Sequence, residues 1–371
     1  MVPFVDLHAQ YMTIKEEIDE AIAGVIAKSA FVRGPYVEAF EAEYAEAMGA
    51  KICVSCADGT AALYIAMHAL GMKPGDEVIT SAHSWISTSE TITQAGGVPV
   101  FVDTDPVTFT IDPAKIAEKI TTRTVGIIPV HLYGQAADMD PIIATAAKHN
   151  LWVIEDCAQA HLATYKGQKV GRFGRAATWS FYPGKNLGAM GDAGAITTDD
   201  AALARRMARF ARHGGITKGA HEIEGINSRL DGIQAAILSV KLKYLPEWTA
   251  SRRRVAARYT ELLTGIPGIT TPVEAEGREH VFHLYVIRHE DRDGLVRYLG
   301  GKGIGTAIQY PIALPFLPAY ARFNHVPADF PTAFANQSRI LSLPIYGEIS
   351  EDQLVKAAAA VAEFADQNVT A

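Results

Sequence analysis

The chain has 371 residues, 49% of them hydrophobic and 20% charged, which predicts a globular protein with a large core and more than one domain. The formal net charge of −7, with no Lys/Arg stripe interleaved with aromatic residues, argues against nucleic-acid binding. Acidic residues interrupt the start of the chain and no apolar run reaches the ~18 residues of a membrane span, so we predict a soluble cytoplasmic protein that does not bind membranes.

Strands and helices alternate through the first part of the chain. The predicted strands lie at 52–57, 77–80, 98–102, 124–130, 151–154, 176–180 and 193–197. The predicted helices lie at 59–70, 87–95, 112–120, 139–150 and 201–211. Strands that alternate with helices of this length predict an α/β fold with a mostly parallel central sheet covered on both faces.

The remainder of the chain begins with helices and continues as a smaller α/β unit. Two helices are expected, at 227–242 and 246–263. The later elements are a strand at 281–288, a helix at 291–300, a strand-like segment at 306–310 and a terminal helix from about 350. We therefore predict a large domain over residues 1–245 and a smaller C-terminal α/β domain over residues 246–371.

The three cysteines do not predict a disulfide framework. Cys53 and Cys56 have the spacing of a redox or half-zinc site, but no second pair completes a four-ligand site and their segment resembles a buried strand. We interpret the cysteines as core residues. No HExxH-like pair supports a metal site among the twelve histidines, so we predict no metal.

Lys185 lies in a short loop between two predicted strands, within the sequence Trp-Ser-Phe-Tyr-Pro-Gly-Lys-Asn-Leu-Gly at 179–188. Among glycine, proline and aromatic residues an ammonium group loses hydration and its pKa falls. Such an amine is suited to imine formation with an aldehyde cofactor. A solvated lysine beside a tight turn fits this motif equally well, and a second motif upstream decides between the two.

Asp156 directly follows the predicted strand 151–154, at the sheet edge where ligands of open α/β folds collect. Pyridoxal phosphate (PLP) needs a lysine for its aldehyde and a carboxylate that keeps its ring nitrogen protonated. Taken alone, Asp156 and Gln159 also fit a helix N-cap in an Asp-x-x-Gln box. Together with Lys185, the cofactor interpretation is favoured.

Five further residues belong to the predicted cofactor site. Gly59 and Thr60 stand between a strand and a helix, where backbone N–H groups bind phosphate, and Ser180 offers a hydroxyl to the same group. Trp85 follows another strand and is suited either to stack on the pyridine ring or to plug the start of a helix. Gln159 is expected to contact the ring oxygen, with a capping role as the alternative.

Taken together, these motifs resemble the DegT/DnrJ/StrS family of nucleotide-sugar aminotransferases. Besides the Lys185 and Asp156 motifs, the resemblance is carried by Phe-Val-Arg-Gly-Pro at 31–35, Gly-Thr-Ala-Ala-Leu at 59–63, Pro-Gly-Asp-Glu-Val-Ile at 74–79 and Gly-Ile-Asn-Ser-Arg-Leu-Asp at 225–231. The sequence departs from the family pattern at Asp58, where Ser or Asn is common, at Ala193, and at Leu162-Ala163.

The resemblance implies a fold-type-I PLP aminotransferase that works as a homodimer with shared active sites. It implies that Lys185 forms the imine with the cofactor, that Asp156 pairs with the pyridine nitrogen, and that Asn227 reaches the phosphate from the neighbouring subunit. The other expected contacts are Gln159 to the ring oxygen, Trp85 stacked on the ring, and Gly59, Thr60 and Ser180 at the phosphate.

The implied reaction moves an amino group from glutamate to a nucleotide-linked keto-sugar in amino-sugar biosynthesis. A 3-keto hexose linked to dTDP is preferred over a 4-keto or UDP-linked substrate. The alternatives are a non-catalytic PLP-binding regulator and a PLP-dependent sugar dehydratase, although relatives of the latter kind carry histidine in place of Lys185. A nicotinamide oxidoreductase is disfavoured because no GxGxxG follows the first strand.

Overall fold

Twelve strands are assigned in the computed structural model, which describes residues 1–217 and 219–369. They are β1 (Ile52–Cys56), β2 (Glu77–Ser81), β3 (Val98–Val102), β4 (Thr124–Ile128), β5 (Trp152–Asp156), β6 (Thr164–Tyr165), β7 (Gln168–Lys169), β8 (Ala176–Ser180), β9 (Gly194–Thr198), β10 (Arg278–Glu279), β11 (Tyr285–Arg288) and β12 (Ile340–Leu343).

Eleven α-helices accompany these strands within the described residues. They are α1 (Leu7–Thr13), α2 (Lys15–Ala27), α3 (Pro35–Met48), α4 (Gly59–Ala69), α5 (Ser87–Gln94), α6 (Met139–Lys148), α7 (Ala201–Ala211), α8 (Gly232–Leu263), α9 (Arg292–Gly301), α10 (Pro331–Gln337) and α11 (Glu351–Val369).

The central sheet has seven strands in the order β1-β9-β8-β5-β4-β2-β3. Strands β8, β5, β4, β2 and β3 pair in parallel, and β9 runs antiparallel to both of its neighbours, β1 and β8. The sheet is therefore mostly parallel, as predicted. The carboxyl ends of β1, β2, β5 and β8 all lie at one edge, so the residues that follow these strands come together there.

Successive side chains along each strand point to opposite faces of the sheet, and the apolar ones form a separate core on each face. Cys53 and Val153 belong to the core that contains residues of α3, α6 and α8, whereas Val54 and Ile154 belong to the core with α4 and α7. Each helix layer thus covers one face, which explains the nearly continuous apolar runs of the parallel strands. The cysteines are core residues, as predicted: all three are buried and unpaired.

A further core forms around the hairpin of β11 and β12. It contains residues of α9, α11 and the C-terminal half of α8, together with Val2, whose N–H donates to the carbonyl of Gly303 at 2.8 Å. The predicted boundary between 245 and 246 falls inside α8, and the division into domains 1–245 and 246–371 stays a prediction. Residues 370–371 of that interval lie outside the described residues.

Several predicted elements differ in the structure, and the prediction did not include α1, α2, α3, α10, β6, β7, β10 and β12. The two helices expected at 227–242 and 246–263 are the single helix α8, which continues through Pro246 because packing against α2, α3 and α11 holds both halves. The segment 112–120 forms two 3₁₀ turns rather than one helix. The strand predicted at 281–288 is shorter, because the backbone of Phe282 adopts a positive φ of 44°.

The strand-like segment 306–310 makes only one isolated bridge, between Ala307 and Ser342. Its last residue, Tyr310, leaves the hairpin and hydrogen-bonds through its backbone to the ring of His83, at 3.1 Å. The segment therefore joins the C-terminal part of the chain to the carboxyl edge of the central sheet. In the part of the chain that the structure describes, no helix is long and apolar enough to cross a membrane.

Candidate active site

Lys185 lies in the loop Phe181–Ala189, which closes on itself at the carboxyl edge of the sheet. The N–H of Ala189 donates to the carbonyl of Phe181 at 2.7 Å, and the N–H of Lys185 donates to the carbonyl of Tyr182 at 2.8 Å. A Cβ on Gly188 would overlap the backbone of Pro183, so only glycine allows the loop to turn back this tightly. The loop therefore fixes the backbone of Lys185.

The amine of Lys185 is desolvated, as the motif predicted. Burial lowers its pKa to about 8, and the nearby carboxylate of Asp156 opposes this shift. Lys185 is half-buried, and within residues 1–217 and 219–369 its Nζ makes no hydrogen bond. A lysine in this state supplies a neutral amine at a pH far below that required by a solvated lysine.

Asp156 is the last residue of β5 and is 5% exposed. Its Oδ2 accepts a hydrogen bond from Oγ1 of Thr88 at 2.8 Å, and its Oδ1 accepts one from the N–H of Ala158 at 3.1 Å. Burial raises the pKa of Asp156 above its ordinary value, although these hydrogen bonds and the charge of Lys185 oppose the shift. Among the described ion pairs none includes Asp156, so a cationic group placed beside it would stabilise its ionised form.

The capping alternatives for Asp156 and Gln159 are not what the structure shows. No helix follows β5 directly, and the side chain of Gln159 turns to two other groups. Its Oε1 accepts from the N–H of Tyr133 at 2.6 Å, and its Nε2 donates to the hydroxyl of Tyr310 at 3.1 Å. Gln159 is thus held beside Asp156 by residues from distant parts of the chain.

The N-terminus of α4 is where the sequence predicts the anion cradle. Asp58 caps this helix by accepting from the N–H of Ala61 at 2.7 Å, which explains how a carboxylate is tolerated here. In the described part of the chain, the N–H groups of Gly59 and Thr60 have no acceptor. A Cβ on Gly59 would lie 2.7 Å from Cβ of Ser180, so the absence of a side chain brings the two segments together.

The hydroxyl groups at this cradle are already oriented. Oγ1 of Thr60 lies 2.7 Å from Oγ of Ser87, and Oγ of Ser180 accepts from the N–H of Tyr182 at 3.3 Å. The proton of Ser180 therefore remains available to an anion. Free N–H groups and a hydroxyl at a helix N-terminus are suited to bind a phosphate, and their assignment to one stays a prediction.

Trp85 lies beyond β2 at the same edge, with 56% of its surface exposed and its ring centroid 5.4 Å from that of Tyr310. Asn227, in contrast, lies in the segment between α7 and α8, where it forms an isolated bridge with Arg212. Its side chain is exposed and, among the described residues, makes no hydrogen bond to any other predicted site residue. Its neighbour Ser228 accepts from the N–H of Ala57 at 3.1 Å, so this segment lies near the start of α4, although no described hydrogen bond joins the Asn227 side chain to the other predicted residues.

Sequence reasoning assigned no role to Thr88 or His161. Thr88 lies in α5, three residues after Trp85. Its position near the carboxyl edge of the sheet was the sequence signal that could have predicted a contact with the site. His161 accepts from the hydroxyl of Tyr44 at 2.8 Å and donates to the carbonyl of Ser180 at 3.0 Å. Burial lowers the pKa of His161 to about 3, so this histidine is neutral. Its hydrogen bond to the carbonyl of Ser180 holds the backbone of that residue in place.

A cluster of potential metal ligands, His131, Glu155 and Cys157, lies behind Asp156, with its ligand atoms within 4.8 Å of one another. Nε2 of His131 contacts Oε2 of Glu155 at 3.1 Å. The carboxylate also accepts three backbone N–H groups, at 2.7–2.8 Å, from Gly171, Phe173 and Gly174. These hydrogen bonds give Glu155 a structural role in anchoring the end of β5.

Comparison with known proteins identifies the protein family. The profile of the DegT/DnrJ/EryC1/StrS aminotransferase family matches residues 12–362. The chain belongs to this family. It is a PLP-dependent aminotransferase with the fold-type-I architecture, as the sequence predicted.

Individual relatives cover nearly the whole chain. The pleiotropic regulatory protein of Geobacillus stearothermophilus is 47% identical over 98% of this chain and 98% of its own length. The dTDP-3-amino-3,4,6-trideoxy-alpha-D-glucose transaminase of Streptomyces venezuelae is 40% identical, covering 99% and 97% respectively. The UDP-2-acetamido-2-deoxy-3-oxo-D-glucuronate aminotransferase of Pseudomonas aeruginosa is 42% identical, covering 93% and 95%.

The fold comparison agrees with the sequence relationship. The crystal structure of S. venezuelae DesV in complex with a ketimine intermediate matches this chain with a TM-score of 0.96 at 41% identity, over 98% of both chains. At this similarity, the aminotransferase architecture extends over both the central sheet and the C-terminal core.

The side chains at the carboxyl edge fit PLP. The unpaired N–H groups of Gly59 and Thr60 suit its phosphate, and the buried carboxylate of Asp156 lacks the cation that a protonated pyridine would provide. The desolvated amine of Lys185 suits its aldehyde. The assignment of each of these residues to one part of the cofactor stays a prediction.

Proposed function

We propose that this aminotransferase moves an amino group from glutamate to the keto carbon of a nucleotide-linked sugar, in amino-sugar biosynthesis. The observation that carries the proposal is the desolvated amine of Lys185 beside the buried carboxylate of Asp156. A 3-keto hexose linked to dTDP is the preferred substrate. The names of the S. venezuelae and P. aeruginosa relatives support a reaction at carbon 3 and divide between dTDP and UDP.

Each half of the reaction uses the same side chains. When bound, PLP supplies a pyridine ring that withdraws electrons from the reacting carbon. The amine of Lys185 would hold PLP through its aldehyde, and the same Nζ would accept and return the proton that moves in each half of the reaction. The negative charge of Asp156 would keep the ring nitrogen protonated, while Gly59, Thr60 and Ser180 would hold the phosphate.

Trp85 and Gln159 orient the ring in this proposal. Trp85 is suited to stack on one face because its indole is exposed at the edge and is supported by the ring of Tyr310. Gln159 is held rigidly by Tyr133 and Tyr310, so its amide has a fixed direction towards the ring oxygen. Both residues would hold the ring in one orientation, so that less rearrangement of the ring is needed during the reaction.

The first test uses the purified protein with glutamate and a panel of nucleotide-linked keto-sugars that vary in keto position and nucleotide. Formation of an amino-sugar from one of them, with loss of product in Lys185→Ala, is the expected result. Absorbance of the bound cofactor that shifts on addition of glutamate would separate a transaminase from a non-catalytic regulator, the alternative that the name of the G. stearothermophilus relative suggests. Release of water from the sugar without amine transfer would indicate a dehydratase instead.

We propose that the working unit is a homodimer in which Asn227 of the partner subunit completes the phosphate site. The support is that Asn227 is exposed in one chain, as are more than half of the surfaces of Trp85 and Tyr182 beside the site. Mixed dimers of Lys185→Ala and Asn227→Ala test this arrangement. Shared sites predict one intact site in each mixed dimer and hence activity above that of either variant, whereas sites within one chain predict no gain.

A further inference from the structure

Helix α8 buries a lysine directly behind the loop that carries Lys185. Lys241 is 5% exposed, and its Nζ donates a hydrogen bond to the carbonyl of Gly188 at 2.8 Å. Lys243, two residues later on the same helix, has a side chain that is 65% exposed and pairs at the surface with Glu17, at 3.4 Å. The two lysines therefore differ in location although they share a helix.

Gly188 is the point at which the Phe181–Ala189 loop turns back on itself. Because its Cα lies against the backbone of Pro183, the direction of its carbonyl is fixed by the loop. A buried carbonyl without a donor is costly, and in the described part of the chain Lys241 is the donor that satisfies it. The hydrogen bond thus ties the loop to the middle of a long helix.

Other contacts hold the same loop from two sides. Gln234, seven residues before Lys241 on α8, accepts from the N–H of Met190 at 2.8 Å and donates to its carbonyl at 3.1 Å. Asn186, next to Lys185, donates to the carbonyl of Val281 at 3.0 Å. The loop is therefore attached both to α8 and to the segment before β11.

The charge of Lys241 is expensive to bury, and its neighbours only partly compensate for it. The carboxylate of Glu348 attracts it, although Oε2 of Glu348 has no hydrogen-bond partner in residues 1–217 and 219–369. Arg252, also buried, faces the same carboxylate and donates to the carbonyls of Phe282 and His283, at 3.3 Å each. An apolar side chain would fill this space without the free-energy cost of desolvating a charge. We therefore attribute the presence of an amine here to its hydrogen bond with the carbonyl of Gly188.

We infer that Lys241 is a positioning residue, which fixes the Gly188 carbonyl and thereby holds Nζ of Lys185 in the geometry that cofactor capture and proton transfer require. The inference rests on the proposed role of Lys185. Lys241 does not touch the reacting atoms; its effect passes through the three backbone units from Lys185 to Gly188. Small displacements of a reacting group are sufficient to lower a rate strongly.

The test compares Lys241→Met, which keeps the length of the side chain but removes the donor, with Lys243→Met as the matched control. In the apoenzyme, hydrogen exchange of amides 184–190, followed by mass spectrometry, should be about tenfold faster in Lys241→Met than in the wild type and unchanged in Lys243→Met. In the loaded enzyme, kcat should fall about tenfold to a hundredfold while KM for the nucleotide sugar changes little. Equal exchange rates in wild type and Lys241→Met would overturn the inference.

A second variant separates positioning from general stability. Lys241→Gln keeps a neutral N–H donor, so it should protect amides 184–190 better than Lys241→Met does. If the two variants lose protection equally, or both lose the fold by circular dichroism, Lys241 stabilises the protein generally and the inference is wrong. Borohydride reduction and peptide mapping give an independent check: no adduct on Lys185 of the wild type would refute the proposed function, whereas an adduct with identical kinetics in Lys241→Met would refute only the positioning role.

Discussion

Lys185 in the Phe181–Ala189 loop is half-buried and Lys241 in the middle of helix α8 is buried, and burial lowers the pKa of both amines to about 8. The amine of Lys241 donates to the carbonyl of Gly188, whereas Nζ of Lys185 makes no hydrogen bond among the described residues. A lowered pKa alone therefore does not distinguish a reactive amine from a structural one. The difference lies in whether the protein already uses the amine's hydrogen-bonding capacity.

The same contrast separates two consecutive carboxylates. Glu155 accepts three backbone N–H groups and contacts His131, so its oxygens are fully used by the fold. Asp156 accepts two hydrogen bonds from the described residues, and burial raises its pKa. Both the amine of Lys185 and the carboxylate of Asp156 therefore keep hydrogen-bonding capacity that the described residues do not use. This is expected of groups that bind a ligand.

Replacing Lys185 tests the reactive member of the lysine pair and should have the largest effect. Lys185→Ala removes the amine that bonds to the cofactor and carries the proton, so turnover should fall by at least about a thousandfold. Steady-state product formation from glutamate and the keto-sugar measures this loss. Near-normal turnover in this variant would show that Lys185 is not the reactive amine, although within the described part of the chain it makes no hydrogen bond and Lys241 does.

Replacing Asp156 tests the under-used carboxylate. Asp156→Asn keeps the shape of the side chain but removes the charge that protonates the ring nitrogen, so kcat should fall roughly a hundredfold. The exposed Asp140, paired with Lys166 at the surface, provides the control as Asp140→Asn, which should retain wild-type kcat. Equal activity of the two variants would contradict the pairing of Asp156 with the ring.

The pH dependence of cofactor capture tests the pKa of Lys185 itself. Only the neutral amine reacts, so the rate at which apoenzyme binds PLP should rise about tenfold per pH unit below pH 8 and level off above it. His161 and His283, which also face Lys185, stay neutral in this range because burial lowers their pKa values, which leaves Asp156 as the charged neighbour. Stopped-flow absorbance measures the rate, and a plateau only above pH 10 would show that the amine is solvated.

Much of the site could be predicted because its residues follow strands whose carboxyl ends must meet. Lys185, Asp156, Gly59 and Ser180 each lie within a few residues of such a strand, and the parallel sheet alone brings them to one edge. Local sequence was also sufficient for most helix and strand positions, since each has a clear period of apolar residues.

The contacts that support the site could not be predicted in this way. Thr88 meets Asp156 across 68 residues, Lys241 meets Gly188 across 53, and Tyr310 meets Gln159 across 151. These pairs depend on how helices and the C-terminal segment pack against the sheet, and no local pattern encodes that packing. Pro246 illustrates the same limit, because tertiary contacts keep α8 continuous where the local rule predicts a break.

Replacing Thr88 should have the smallest effect and sharpens the comparison of the two carboxylates. Its hydroxyl stabilises the ionised form of Asp156, at 2.8 Å, so Thr88→Val should raise the pKa of Asp156 further and lower kcat by roughly tenfold. Thr91→Val on the same helix is the matched control, because the buried hydroxyl of Thr91 donates to backbone carbonyls of α5 and, among the described residues, to no other group. In an Asp156→Asn background the Thr88 replacement should add little, since its effect passes through the carboxylate; equal losses in both backgrounds would mean that Thr88 acts independently of Asp156.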